Sequence, residues 1–419
     1  MKSGRVIWTR IIGVICAVLI WGLPGCTGTG DPTQGNGGNG SESASEDAGD
    51  SSALALAEQK RMVLKSLVEG FIQPVAGNFL SACEALHEAC QAASQTMSDE
   101  AEENARTAWL DAMEQWQMLE LVQLGPAGGQ SSVVGGMDLR DEIYSWPFKN
   151  ACRVDQETVE EAYLDVAAFR SELINVRGLD ALELLLFVED FENHCAQNSK
   201  LNTSGDWAAL SSEAIAAQRM AYAESLSAIL VDQAMALKNA WANGFGEALT
   251  TAGAGSDVFP TAQDALNSVS DALFYLDKVT KDMKLAEPAG ISECDEESCP
   301  DALESLYAHA SREHVLANLK GFHAVMSGGL PEFEDRYGFV DLLYAVDAGG
   351  LAEQMLASTV EAIELVESVE GTFLEQLTAD VEVVRAIHVA IKAITTPLKT
   401  EFLSIFDLEI PQRAASDND

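Results

Sequence analysis

Two carboxylates three residues apart, Asp180 and Glu183, stand in the apolar stretch Asn175-Val-Arg-Gly-Leu-Asp-Ala-Leu-Glu-Leu-Leu-Leu-Phe187. If Gly178 opens a helix, a turn of about 100° per residue puts Asp180, Glu183 and Phe187 on one side and Leu179, Leu182, Leu185 and Leu186 on the other. A helix apolar nearly all round is expected to bury Glu183 at least in part. A buried carboxylate needs a partner, because left alone it costs several kcal/mol or takes up a proton. Arg177, a second arginine from elsewhere, a metal ion or a ligand would fill that role. Asp180 has a simpler expectation as well, a carboxylate satisfying the first-turn amides of the helix. As a metal pair, Asp180 and Glu183 offer only oxygen, which suits Ca²⁺ or Mg²⁺ better than zinc and supplies too few ligands alone.

The elements that must position this pair begin with an export segment. Lys2, Arg5 and Arg10 precede an apolar run from Ile11 to Leu23, too short to span a bilayer and arranged as a signal peptide over residues 1–25. Its end, Leu23-Pro-Gly-Cys26, resembles a bacterial lipobox, with Cys26 as the lipidated first residue of the mature chain. Thr27 is not the aspartate of an inner-membrane retention signal, so an outer-membrane lipoprotein is expected, held by acyl chains. Removing the signal takes away three basic residues and no acidic one, moving the net charge from -41 to -44. Such acidity excludes nucleic acid as a partner. Six cysteines remain after Cys16 and Cys26, an even number that argues for disulfides in an exported chain. Cys294 with Cys299 would close a small loop, and Cys152 with Cys195 would link positions flanking the central stretch. Cys83 and Cys90, seven apart, would be about 10 Å apart on a continuous helix, beyond disulfide reach, so either the helix breaks or they pair otherwise.

Residues 26–53, rich in Gly, Ser, Asn and acids, read as a flexible tether. From residue 54 the period is helical, with Pro74 as a kink, then a helix after Ser98 carrying Trp109, Met113, Trp116 and Leu119 on one face. Further helices are expected over 154–169, 208–241, 262–283, 303–326, 338–346, 352–369 and 378–395. The apolar pattern lapses over 197–205, which sets a boundary between an N-terminal bundle at 54–200 and a C-terminal bundle at 206–419. Strand alternation and hairpin dipeptides are nearly absent, so the fold class is all-α in two bundles. No phosphate-binding glycine loop, nucleophile elbow or His-Glu-x-x-His zinc motif is present. The spacings of His309, His314 and His323 do not share a helix face, which argues against a metal trio. Trp109, Trp116 and Trp146 read as core residues in preference to a haem box.

The run Gly178-Leu-Asp180-Ala-Leu-Glu183 resembles the imelysin-family signature, Gly-x-His-x-x-Glu followed by an apolar helix. Ile143-Tyr-Ser-Trp-Pro147, Lys284-Leu-Ala-Glu-Pro288, Glu304-Ser-Leu-Tyr-Ala-His-Ala-Ser311, Asn318-Leu-Lys-Gly-Phe322 and Gly338-Phe-Val-Asp-Leu-Leu343 match family segments in order, over roughly residues 55–410. The resemblance implies two four-helix-bundle-like domains, export or lipid anchoring, a site where the domains meet, and an association with iron. On the matched positions that site would comprise Arg177, Asp180, Glu183, Glu304, Ser311 and Asn318. The family also carries a peptidase label, but Asp180 stands here in place of the signature histidine. The expected function is therefore a non-catalytic binding component of the envelope, linked to iron, another metal or haem. A metallopeptidase and a surface scaffold binding another envelope protein are the alternatives. The implied cofactor is a divalent cation or iron.

Overall fold

A computed structural model describes residues 43–409, with side chains from residue 54 onward. The signal peptide, the lipid site at Cys26 and the tether before residue 43 lie outside the described residues. Of the described residues, 51–409 form one compact unit. Among the described residues there is no strand, and no helix is long and apolar enough to cross a membrane.

Helix α1 (Ser43–Leu67) begins ahead of the expected residue 54, so helix replaces the last part of the tether. Its opening residues, Ser43-Ala-Ser-Glu-Asp47, place acids where a helix N-terminus favours them. α1 runs through a π-turn (Val68–Ile72) into α2 (Gln73–Thr96), so Pro74 stands just past that turn and the chain stays helical through it. α3 (Asp99–Glu120) is capped by Ser98, whose hydroxyl accepts from Ala101 N at 3.3 Å, and carries three acids in its first turn. α4 (Gly178–Phe187) is the signature helix, and α5 (Ser212–Ala240) follows the loop after it. Then come α6 (Ala262–Leu273), the π-helical α7 (Leu276–Ala286), α8 (Ser311–Ser327), α9 (Gly349–Glu367) and α10 (Glu382–Pro397).

α2 packs on α3 and α5, with α4 against both of those; α7, α8, α9 and α10 form the second group, and α3 packs on α8 to join them. One contiguous apolar core runs through both groups. α5 lies beyond the boundary expected at residues 200–206, yet it packs along α2 and α4, helices on the near side of it. The lapse in apolar pattern there holds a short helix (Lys200–Ser204), and the segment has a small core of its own, in which Cys195, Leu201, Trp207 and Ile215 pack against Cys152.

Two expected helices are broken where function gathers. The segment expected over 154–169 is a helix at Ala151–Glu160, ended by Glu161 in the left-handed region (φ 53°). The segment expected over 303–326 is helical only from Ser311, and residues 303–310 form an irregular strap ahead of it. Both expected disulfides, Cys152–Cys195 and Cys294–Cys299, are formed. Cys83 and Cys90 stay on an unbroken α2 as buried free thiols. Burial pushes both thiols up, Cys90 to about 12. Trp109 and Trp116 are core residues, the Trp109 indole donating to Leu179 O at 2.8 Å and Trp116 packing on Phe79.

Candidate functional site

The start of α4 fixes the geometry. Arg177 is extended and Gly178 has φ +84°, and a Cβ at 178 would stand 2.6 Å from the carbonyl oxygen of Ile143. Only glycine allows this approach, which lays the first turn of α4 against the segment 143–149. The same backbone turn sends Arg177 away from the helix face. Its guanidinium donates to Glu142 Oε2 at 2.6 Å and to the Glu172 carbonyl at 3.0 Å. Arg177 is therefore not the partner of Glu183, as its nearness in sequence had suggested.

That partner is Lys149. Its Nζ donates to Glu183 Oε2 at 3.2 Å and stands 4.5 Å over the Tyr307 ring. Glu183 Oε1 accepts from the Ser305 hydroxyl at 2.9 Å and from the backbone amides of Tyr307 at 3.0 Å and Ala308 at 3.1 Å. The carboxylate of α4 thus holds the 303–310 strap in place. Asp180, one turn back, accepts from the Ser145 hydroxyl at 2.6 Å and the Ser145 amide at 3.3 Å, so it secures the 143–149 segment, while its own first-turn amide also favours the carboxylate. Burial pushes the Asp180 carboxyl up, against the Ser145 donors and Lys149. Burial would push Lys149 down, but Glu183 and Asp180 outweigh it and the ammonium is held up.

A second network lies behind the first. Glu304, buried beside Ser305, accepts at Oε1 from Gln117 Nε2 at 2.8 Å, Lys284 Nζ at 2.9 Å and the Tyr144 hydroxyl at 3.1 Å. His314 Nδ1 is 3.1 Å from Glu304 Oε2, at ion-pair distance but tilted off the hydrogen-bond axis. Burial alone would raise the Glu304 carboxyl, yet Lys284 and His314 outweigh it and hold it at about 2. Gln117 Oε1 accepts from Lys284 at 2.6 Å and from Asn318 Nδ2 at 2.9 Å, while Asn318 Oδ1 accepts from Thr280 at 3.0 Å and Lys284 at 3.1 Å. α3, α7 and α8 are tied by these few buried atoms. Ser311 accepts from the Ser305 amide at 3.0 Å, pinning the strap to the first residue of α8.

The structure thus brings Asp180, Glu183, Glu304, Ser311 and Asn318 to one junction and leaves Arg177 outside it. Lys149, Lys284, Gln117, Ser145 and Ser305 belong to it too. Ser145, Lys284 and Ser305 sit inside the motifs quoted above, whereas nothing in the sequence around Lys149 or Gln117 marks them. As a metal pair Asp180 and Glu183 do not fit: Glu183 is engaged by four donors at its two oxygens, one an ammonium, and Asp180 by two. No group of three or more His, Cys, Asp or Glu is gathered for a metal among the described residues. His309 is exposed on the strap, His314 is buried at Glu304, and His323, lowered by burial and by Arg336, lies elsewhere on α8.

Comparison with known proteins follows the same geometry. The chain is similar to an Imelysin-like protein from Psychrobacter arcticum 273-4, with 19% identity, a TM-score of 0.66, and 84% of this chain and 97% of that one covered. It is also similar to a protein described as an iron-regulated protein A precursor from Parabacteroides distasonis ATCC 8503, with 15% identity, a TM-score of 0.64, and coverage of 83% and 94%. At such identities these likenesses establish the fold. No curated protein matches the chain. The family model for Imelysin matches residues 72–400, the whole span from α2 to the end of α10, and the chain belongs to the imelysin family.

Proposed function

We propose that this chain is a lipid-anchored protein of the bacterial cell envelope, most simply the outer membrane, that binds and does not cut. The observation that carries this reading is the closure of Glu183 by Lys149, Ser305 and two backbone amides. Metal-assisted hydrolysis needs a metal with an open position and a free general base. Here the carboxylate in the family's glutamate position is spent on holding the strap, and the histidine position carries Asp180, spent on Ser145. The same residues serve a binding protein well, because they set the strap and α8 rigidly against α3 and shape the surface beside them. A role in iron supply, through iron, another metal or haem, is what the iron-regulated neighbour's name contributes to this reading.

The mature chain should therefore show no chelator-sensitive cleavage of a peptide library, and Glu183→Gln should change only stability. Cleavage that is lost both with chelator and in Glu183→Gln would overturn the proposal. Titration calorimetry with ferrous, ferric, calcium and haem ligands tests the iron reading. The anchor is read separately, as incorporation of labelled palmitate that is lost in Cys26→Ala.

A further inference from the structure

One more contact holds the strap, and it comes from a loop. Residues 188–199, which follow α4, have no helix or strand, and they carry His194 edge-on to the Tyr307 ring, 5.6 Å between centroids and 80° between planes. Tyr307 is the strap residue whose amide donates to Glu183 and whose ring faces the Lys149 ammonium. His194 is itself fixed on the helix Ala151–Glu160, its amide donating to Asp155 Oδ2 at 2.6 Å and its Nδ1 at 2.9 Å. Asp155 is fully buried, and among the described residues these are the hydrogen bonds its carboxylate receives. Beside this pair the disulfide Cys152–Cys195 ties the same loop to the same helix, across 43 residues that include all of α4.

The fastening is local. Its apolar support is the small core around Cys195, Leu201, Trp207 and Ile215, separate from the main core, so the loop can open while the bundles stay closed. Cys152 is only half-buried, and Gln156 Nε2 stands 3.4 Å from its sulfur and 3.8 Å from that of Cys195, placed to support a leaving thiolate. We propose that Cys152–Cys195 is a redox switch on the strap: a dithiol reductant opens it, His194 leaves Tyr307, and the strap loosens on Glu183. One thiolate of the reductant bonds to Cys152 Sγ as Cys195 departs as thiolate, and the second then bonds to the first, releasing Cys152. The protein gains two electrons and two protons, and the reductant becomes a disulfide. Because Ala308, His309 and Ala310 wall a cavity of about 420 Å³ against α3 and α8, loosening the strap also reshapes that cavity. The proposal is independent of whether the chain cuts what it binds.

The test is amide hydrogen exchange on the full mature chain, comparing the strap with α10. In Cys152→Ser/Cys195→Ser, which keeps Cys294–Cys299, the amides of Tyr307 and Ala308 should exchange at least about tenfold faster while α10 is unchanged. Should that variant fail to fold, the native chain treated with dithiothreitol gives the same reading, with thiol labelling to show Cys152 and Cys195 freed and re-oxidation restoring protection. His194→Ala with the disulfide intact should speed the same two amides, which a disulfide acting only on overall stability does not require. Unchanged strap exchange once the disulfide is gone, equal acceleration in the strap and α10, or an unaffected strap in His194→Ala would overturn the proposal.

Discussion

Two carboxylates of the junction, Glu183 and Glu304, meet burial in different ways. Glu183 is answered by backbone amides, a hydroxyl and a lysine at the edge of the core, so its charge is shared among groups that are mostly neutral. Glu304 is answered by two neutral donors, Gln117 and Tyr144, and by two basic groups, Lys284, an ammonium with no exposure at all, and His314. The second arrangement is the more sensitive to loss of its lysine, because that takes the nearest full charge away from a carboxylate in a dry site. The difference teaches that the signature helix is a clasp for the strap, whereas the Glu304 network is a charge-balanced joint between α3, α7 and α8.

Lys284→Met should show this most clearly. It leaves Glu304 buried and strips Gln117 and Asn318 of a shared donor, for an expected loss of about 3–5 kcal/mol in denaturant unfolding. Lys149→Met keeps three donors on Glu183 and should cost less, about 1–3 kcal/mol. Equal losses in the two variants would break the comparison. The contrast also has a pH signature. The Glu304 carboxyl lies at about 2 when folded against an ordinary 4.5, so its contribution is complete above about pH 4.5 and is lost as pH falls toward 2. Stability of the native chain should fall more steeply across that window than that of Glu304→Gln, which starts lower because Lys284 loses its nearest carboxylate and keeps only Glu120, at 3.9 Å. Asp180 has the opposite sign: burial raises its carboxyl, so the charge is a burden at neutral pH that acid relieves. Asp180→Asn removes that burden and keeps an acceptor for Ser145, so the change should stay within about 1 kcal/mol at pH 7. A larger loss would mean that the charge itself, through Lys149, holds the clasp.

Much of this was legible in the chain. The helical period from residue 54, the Cys294–Cys299 disulfide and the burial of Glu183 follow from patterns that lie within one element or one short span, and the Cys152–Cys195 disulfide from the pairing of cysteines that flank the signature stretch. Arg177 shows where such reading stops. Proximity in sequence favoured it as the partner of Glu183, but one glycine with positive φ turns it toward Glu142 and leaves the place to Lys149. Glu304 and Ser311 were expected on one helix, and the chain instead breaks to form the strap, because residues 305–308 satisfy their donors on Glu183 and Ser311 rather than in a helical ladder.

The sequence by itself determined that α4 would be apolar and would carry a carboxylate into the core, since residue type and a 3.6-residue period suffice for that. Tertiary structure alone decided what that carboxylate does. Its partners lie 34 residues before it and 122 to 125 residues after it, and no local pattern encodes contacts at such separations. The packing of α3 against α8 likewise turned Gln117, Lys284 and Asn318 into one network.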